Sequence, residues 1–114
     1  ELIQFVQADC CKTGGITEIV KIAALADAWH LKFAPHTSAS VLSTAASTHV
    51  LTAAPNAFIY EADVSAINAF RDELGTPFEI VDGTITAPAG PGLGVEIDES
   101  LIAKYPFIPG ASYQ

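Results

Sequence analysis

Three residues of this sequence carry side chains suited to moving a proton: Asp9, His36 and Glu61. An imidazole titrates near neutrality, a carboxylate can orient it, and a second carboxyl can give or take a hydrogen bond. The three are 27 and 25 residues apart, each about one strand-plus-helix unit. Each stands just past a stretch with strand character: Leu2 to Ala8, Lys32-Phe33-Ala34, and Ala57-Phe58-Ile59-Tyr60. If these strands run parallel and adjacent, all three side chains reach one carboxyl edge of a sheet, where α/β folds bind ligands. The same residue types also fit a plainer reading. Asp9 would cap the turn before Gly14, His36 would be a loop histidine, and Glu61 a solvated loop acid.

The elements that must hold such a site lie between these residues. After Gly14-Gly15 a helix is expected, with Thr17 as N-cap and Ile19, Ile22, Ala23 and Ala26 on one face. A second helix runs from Ser40 to Ala54, with Val41, Ala45, Thr48 and Thr52 at helical spacing, and Pro55-Asn56 ends it. Val64, Ile67, Phe70 and Leu74 would line a further helix, stopped by Gly75 and Pro77. Asp82-Gly83, between Phe78–Val81 and Thr84–Thr86, is a strong hairpin signal. Pro88, Gly90, Pro91, Gly92 and Gly94 make a stiff irregular loop, and Asp98 caps a last helix reaching Tyr105. Strand and helix alternate over the first two-thirds, which implies an α/β fold with parallel strands. The final third is a non-repeating appendage.

With 114 residues, half of them apolar, the chain suffices for one domain. A net charge of -8 argues against nucleic acid as a partner. No apolar run approaches the roughly 18 residues of a membrane span. The chain has no methionine, strand character begins at its first residues, and it lacks a signal-peptide pattern, so it reads as a piece of a longer protein. Cys10 and Cys11 are adjacent and read as reduced thiols of a cytoplasmic protein, far short of the roughly four ligands of a zinc site. Gly14-Gly15 fits a backbone turn better than an anion cradle, Lys12 points into the same junction, and His30 and His49 read as structural. Ser38, Ser40 and Ser43 have no nucleophile-elbow context.

The segment Gln7-Ala8-Asp9-Cys10-Cys11-Lys12-Thr13-Gly14-Gly15-Ile16-Thr17-Glu18 resembles the sixth barrel strand and following turn of the enolase superfamily, in its mandelate racemase subgroup. Lys21 to Ala26, followed by Ala34-Pro35-His36, resembles the run into the seventh strand, and Pro55 to Glu61 the eighth strand with its terminal glutamate. Asp82-Gly83-Thr84-Ile85 and Pro91 to Asp98 are similar to the family's closing segment.

The resemblance implies part of a (β/α)8 barrel, strands six to eight. Residues 1–75 would be its last βα units, and residues 76–114 a tail packing toward a capping domain absent from this chain. It implies abstraction of the proton α to a carboxylate with Mg2+ as cofactor. His36 would be the general base or acid, Asp9 its orienting partner, and Glu61 a hydrogen-bond donor to the substrate carboxylate. The family's metal-binding carboxylates lie on strands missing here, so no metal ligand is assigned. The expected substrate is an acid sugar, and the activity that of a dehydratase or cycloisomerase, or a racemase. The full-length protein is expected to be a homo-oligomer, and the isolated segment inactive. The alternative is an inactive structural or self-associating module, or a small-carboxylate binding domain.

Overall fold

A computed structural model describes residues 3–110. Its elements are β1 (Phe5–Val6), α1 (Ile16–Ala28), β2 (Lys32–Phe33), α2 (Val41–Ala53), α3 (Ala69–Asp72) and α4 (Glu99–Lys104). β1 and β2 pair in parallel, Phe5 with Lys32 and Val6 with Phe33. Backbone bonds carry this ladder past both ends. Lys32 N–H donates to Gln4 O, Ala34 N–H to Val6 O, and His36 N–H to Ala8 O. On the other side of β2, Phe33 bridges Ala57 in parallel, and its N–H donates to Asn56 O while Phe58 N–H donates to Phe33 O. Two helices thus connect three parallel segments, the α/β arrangement expected from the alternation.

Period-2 geometry splits the strands into two faces. Val6 and Phe33 face the helices, where Phe33, Ile19, Ala23, Ala46, Val50 and Cys10 form the main core. Phe5, Lys32 and Phe58 face the other way. The two rings lie 5.1 Å apart, and the Lys32 ammonium sits 4.1 Å from the centre of the Phe58 ring. α2 approaches the sheet through small side chains, with Ser43, Thr44, Ala45, Ala46, Ser47 and Thr48 all buried. Its hydroxyls are largely bonded inward: Thr48 Oγ1 donates to Thr44 O and Ala45 O, and Ser47 Oγ lies 3.9 Å from Cys10 Sγ. A second cluster joins Val41, Leu74 and Leu101, so the final third packs back on the start of α2. Asp98 N–H donates to Leu74 O, and Gly75 bridges Ile97 in antiparallel sense.

Several element boundaries differ from expectation. The first strand keeps only Phe5–Val6 as ladder, and Leu2 lies outside the described residues. Gly15, not Thr17, is the N-cap of α1, because the turn from Asp9 closes through Gly14 and Gly15 at φ 100° and 90°, a region that favours glycine. The third strand is a single bridge at Ala57. The helix expected from Val64 to Leu74 shrinks to Ala69–Asp72. Val64 and Ile67 are 89% and 88% exposed, so the apolar spacing there has no core to face. The hairpin closes through one bridge, Val81 with Thr84. The Asp98 cap holds as expected, its carboxylate accepting from Ser100 N–H at 2.9 Å, and Ser40 Oγ caps α2 by accepting from Ser43 N–H at 3.4 Å.

Candidate active site

The 27-residue offset that pairs Phe5 with Lys32 and Val6 with Phe33 also sets Asp9 beside His36, just past the ladder's carboxyl ends. The His36 N–H donated to Ala8 O fixes the imidazole's backbone against the residue preceding Asp9. His36 Nδ1 lies 2.7 Å from Asp9 Oδ2. The other carboxylate oxygen, Oδ1, accepts the Cys11 N–H at 2.7 Å. Asp9 O accepts the N–H groups of Lys12 and Thr13 and the Thr13 hydroxyl, so the turn is wound around this residue.

Asp9 is 4% exposed. Burial pushes its carboxyl up, but the His36 ring, the Cys11 N–H and the Lys12 and His36 charges outweigh it and hold Asp9 below its ordinary value. An ionised carboxylate only accepts hydrogen bonds, so His36 Nδ1 carries the proton of the shared bond. In the neutral ring the lone pair is then on Nε2. The His36 side chain is 35% exposed, so the ring is held through Nδ1 and still meets solvent.

Glu61 follows the third parallel segment and takes no part in the Asp9–His36 bond. It is half-buried, and its Oε2 is enclosed without a hydrogen-bond partner among the described residues. A buried carboxyl oxygen left unpaired is costly, which suits a group kept for a ligand. Just before it, the Tyr60 hydroxyl donates to Thr44 Oγ1 at 3.3 Å, tying this strand end to α2, and burial pushes the phenol up. Beyond it, Asp63, Ser65, Asn68, Arg71 and Asp72 bond one another, and Asn68 Nδ2 donates to Ser38 O at 3.2 Å. The segments following His36 and Glu61 are joined by that bond.

Sequence reasoning did not find the Cys11 N–H, Tyr60 or Asn68. A backbone donor has no residue signature, although Asp followed by a turn is a pattern for such a bond. His49, read as structural, meets Leu93 O at 3.2 Å through Nε2. Both cysteines are free, with Cys10 buried and Cys11 exposed. Among the described residues no group of three or more His, Cys, Asp or Glu side chains could hold a metal ion. No helix among them is long and apolar enough to cross a membrane.

The fold thus places a carboxylate–imidazole pair at the carboxyl edge of a parallel sheet. Residues 1–101 match the family described as enolase C-terminal domain-like. The D-galactonate dehydratase of Xanthomonas oryzae pv. oryzae (strain PXO99A) is 42% identical over 108 residues, 90% of this chain and 28% of that protein. A D-galactonate dehydratase family member of Streptomyces bingchenggensis (strain BCW-1) is 38% identical over 111 residues, 96% of this chain and 27% of that protein. The crystal structure of an enolase superfamily member from Polaromonas sp. JS666 superposes with a TM-score of 0.88 at 46% identity, covering 97% of this chain and 30% of that one. An enolase of the mandelate racemase subgroup from Agrobacterium tumefaciens gives 0.67 at 40% identity, covering 80% and 25%. The chain belongs to the enolase superfamily as a C-terminal domain of the mandelate racemase subgroup. It spans less than a third of the length of the dehydratases it matches.

Proposed function

We propose that this chain forms the last three strands of a (β/α)8 barrel and supplies the proton-abstracting edge of an acid-sugar dehydratase. The observation that carries the reading is the 2.7 Å bond between His36 Nδ1 and Asp9 Oδ2 at the carboxyl edge of parallel strands. Relatives bearing the name D-galactonate dehydratase support the substrate class, a polyhydroxy carboxylate.

In the proposed step, His36 Nε2 takes the proton from the carbon α to the substrate carboxylate. The C–H bond breaks, and its electron pair moves into the carboxylate as an enediolate. Asp9, held ionised, stabilises the imidazolium that results. Glu61 in its protonated form donates a hydrogen bond to the oxygens on which charge develops. The His36 imidazolium then gives its proton to the β-hydroxyl, whose C–O bond breaks so that it leaves as water, which restores the neutral ring and completes dehydration. A positive metal charge at those oxygens would supply further stabilisation. The Mg2+ that the family resemblance implies finds no ligand cluster among the described residues.

The test is solvent-deuterium incorporation at Cα of D-galactonate by the intact protein. Wild type should exchange, and His36→Ala should lose roughly 10²–10⁴-fold or more. Undiminished exchange in His36→Ala would remove the base assignment.

A further inference from the structure

Asp9 Oδ2 is approached from two sides. His36 Nδ1 lies 2.7 Å away, and the Lys12 ammonium lies 3.6 Å from the same oxygen. The carboxylate is buried, with 5% of its side chain accessible, whereas Lys12 is 52% accessible. One buried carboxylate oxygen is therefore shared by an imidazole and an ammonium. A cation at this oxygen has a definite sign of effect. It takes up part of the negative potential that would otherwise stabilise the imidazolium, and it repels the imidazolium directly.

The other charged and titratable groups around the His36 loop are His49, Glu61, Tyr60, Asp63 and Arg71, and none of them bonds the Asp9–His36 pair. α2, which follows the His36 loop, contains no Asp, Glu, Lys or Arg. Glu61 and Tyr60 lie at the neighbouring strand end, and the Tyr60 hydroxyl is engaged with Thr44. Asp63 and Arg71, tied to the His36 loop through Asn68, are paired with each other at 3.5 Å. Lys12 stands three residues beyond Asp9 on the turn that Gly14 and Gly15 close, and its backbone N–H donates to Asp9 O, so the ammonium starts from a backbone fixed beside the carboxylate.

We propose that Lys12 is a positioning residue of the Asp9–His36 pair, holding the carboxylate by a second, cationic contact and weakening the imidazole as a base. The consequence is a neutral, proton-accepting ring over a wider range of pH than the carboxylate–imidazole bond alone would allow. The inference deepens the proposed function, resting on His36 as the base, yet its test reads the imidazole and not turnover.

The experiment is an NMR titration of the His36 ring in the intact protein, as wild type, Lys12→Met and Lys12→Arg, at low and high salt. In Lys12→Met the His36 pKa should rise by about half a pH unit at low salt, the size expected for losing one positive charge roughly 6 Å away in a water-like dielectric. The difference should shrink near 1 M salt, where the screening length falls to about 3 Å. Lys12→Arg, which keeps the charge, should titrate with wild type. An unchanged His36 pKa in Lys12→Met, or a Lys12→Arg titration that follows Lys12→Met, would overturn the proposal. A shifted pKa in a protein that exchanges no α-proton would leave the Lys12 inference standing and remove the proposed function.

Discussion

At the scale of single residues, the chemistry rests on how Asp9 is held. Its two oxygens face different partners, Cys11 N–H on one and His36 with Lys12 on the other, and each favours the ionised form. The folded-state pKa lies below the ordinary carboxylate value near ~3.9. The carboxylate therefore favours the folded chain fully above that pH, and the contribution fades as pH falls through the lower folded value. Urea denaturation of the intact protein between pH 6 and roughly pH 2.5 should show a loss of stability that Asp9→Asn lacks. Equal acid sensitivity in both would contradict the assigned role. Glu61 is the second residue with a definite expectation. Under the proposed dehydration, Glu61→Ala should lower kcat on D-galactonate roughly 10²–10³-fold, and Glu61→Gln, which can still donate, should retain part of it. Both are read by steady-state kinetics with thermal denaturation as a folding control. Asp9 and His36 were legible in the sequence because parallel pairing converts a fixed spacing into adjacency. The supporting N–H of Cys11 was not, since any residue could provide it.

At the scale of elements, two kinds of signal behaved differently. Helix α1 was readable because its apolar spacing meets a core: Ile19, Ala23 and Ala26 are buried as expected. Ile19 is fully enclosed, so Ile19→Ala should cost about 2–5 kcal/mol, measured by chemical denaturation. The same spacing at Val64 and Ile67 gave no helix, because a polar knot sets that segment's path instead. Asn68 accepts the Arg71 N–H and donates to Asp63 and Ser38. Such cross-links between distant loops leave no periodic trace, so the sequence could not show them. Asn68→Ala should lower stability by about 1–2 kcal/mol. An unchanged denaturation midpoint would mean that this link does not hold the two loops together.

At the scale of the whole molecule, one sheet face is packed on helices and the other carries Phe5, Phe58 and the Lys32 stem. Phe5 and Phe58 are 42% and 51% exposed. Paired aromatics under a lysine are poorly suited to open water, and apolar patches of this kind mark surfaces that another part meets. In the proposed barrel this face turns inward. Phe58→Asp should then lower the melting temperature of the intact protein by several degrees, whereas an unaltered midpoint would place the face in solvent. The family was legible from short motifs spread over the chain, because they surround the turns that carry Asp9, His36 and Glu61. The reach of the activity was not, since the chain spans less than a third of the dehydratases it matches.

The most direct measurement is the ring-nitrogen NMR spectrum of His36 in the intact protein near neutral pH. The bond to an ionised Asp9 requires the proton on Nδ1 and a bare, basic Nε2, and Asp9→Asn should abolish that preference. A neutral His36 with its proton on Nε2 would leave the ring unable to accept a proton from its open side, and would contradict the proposed chemistry at its first step.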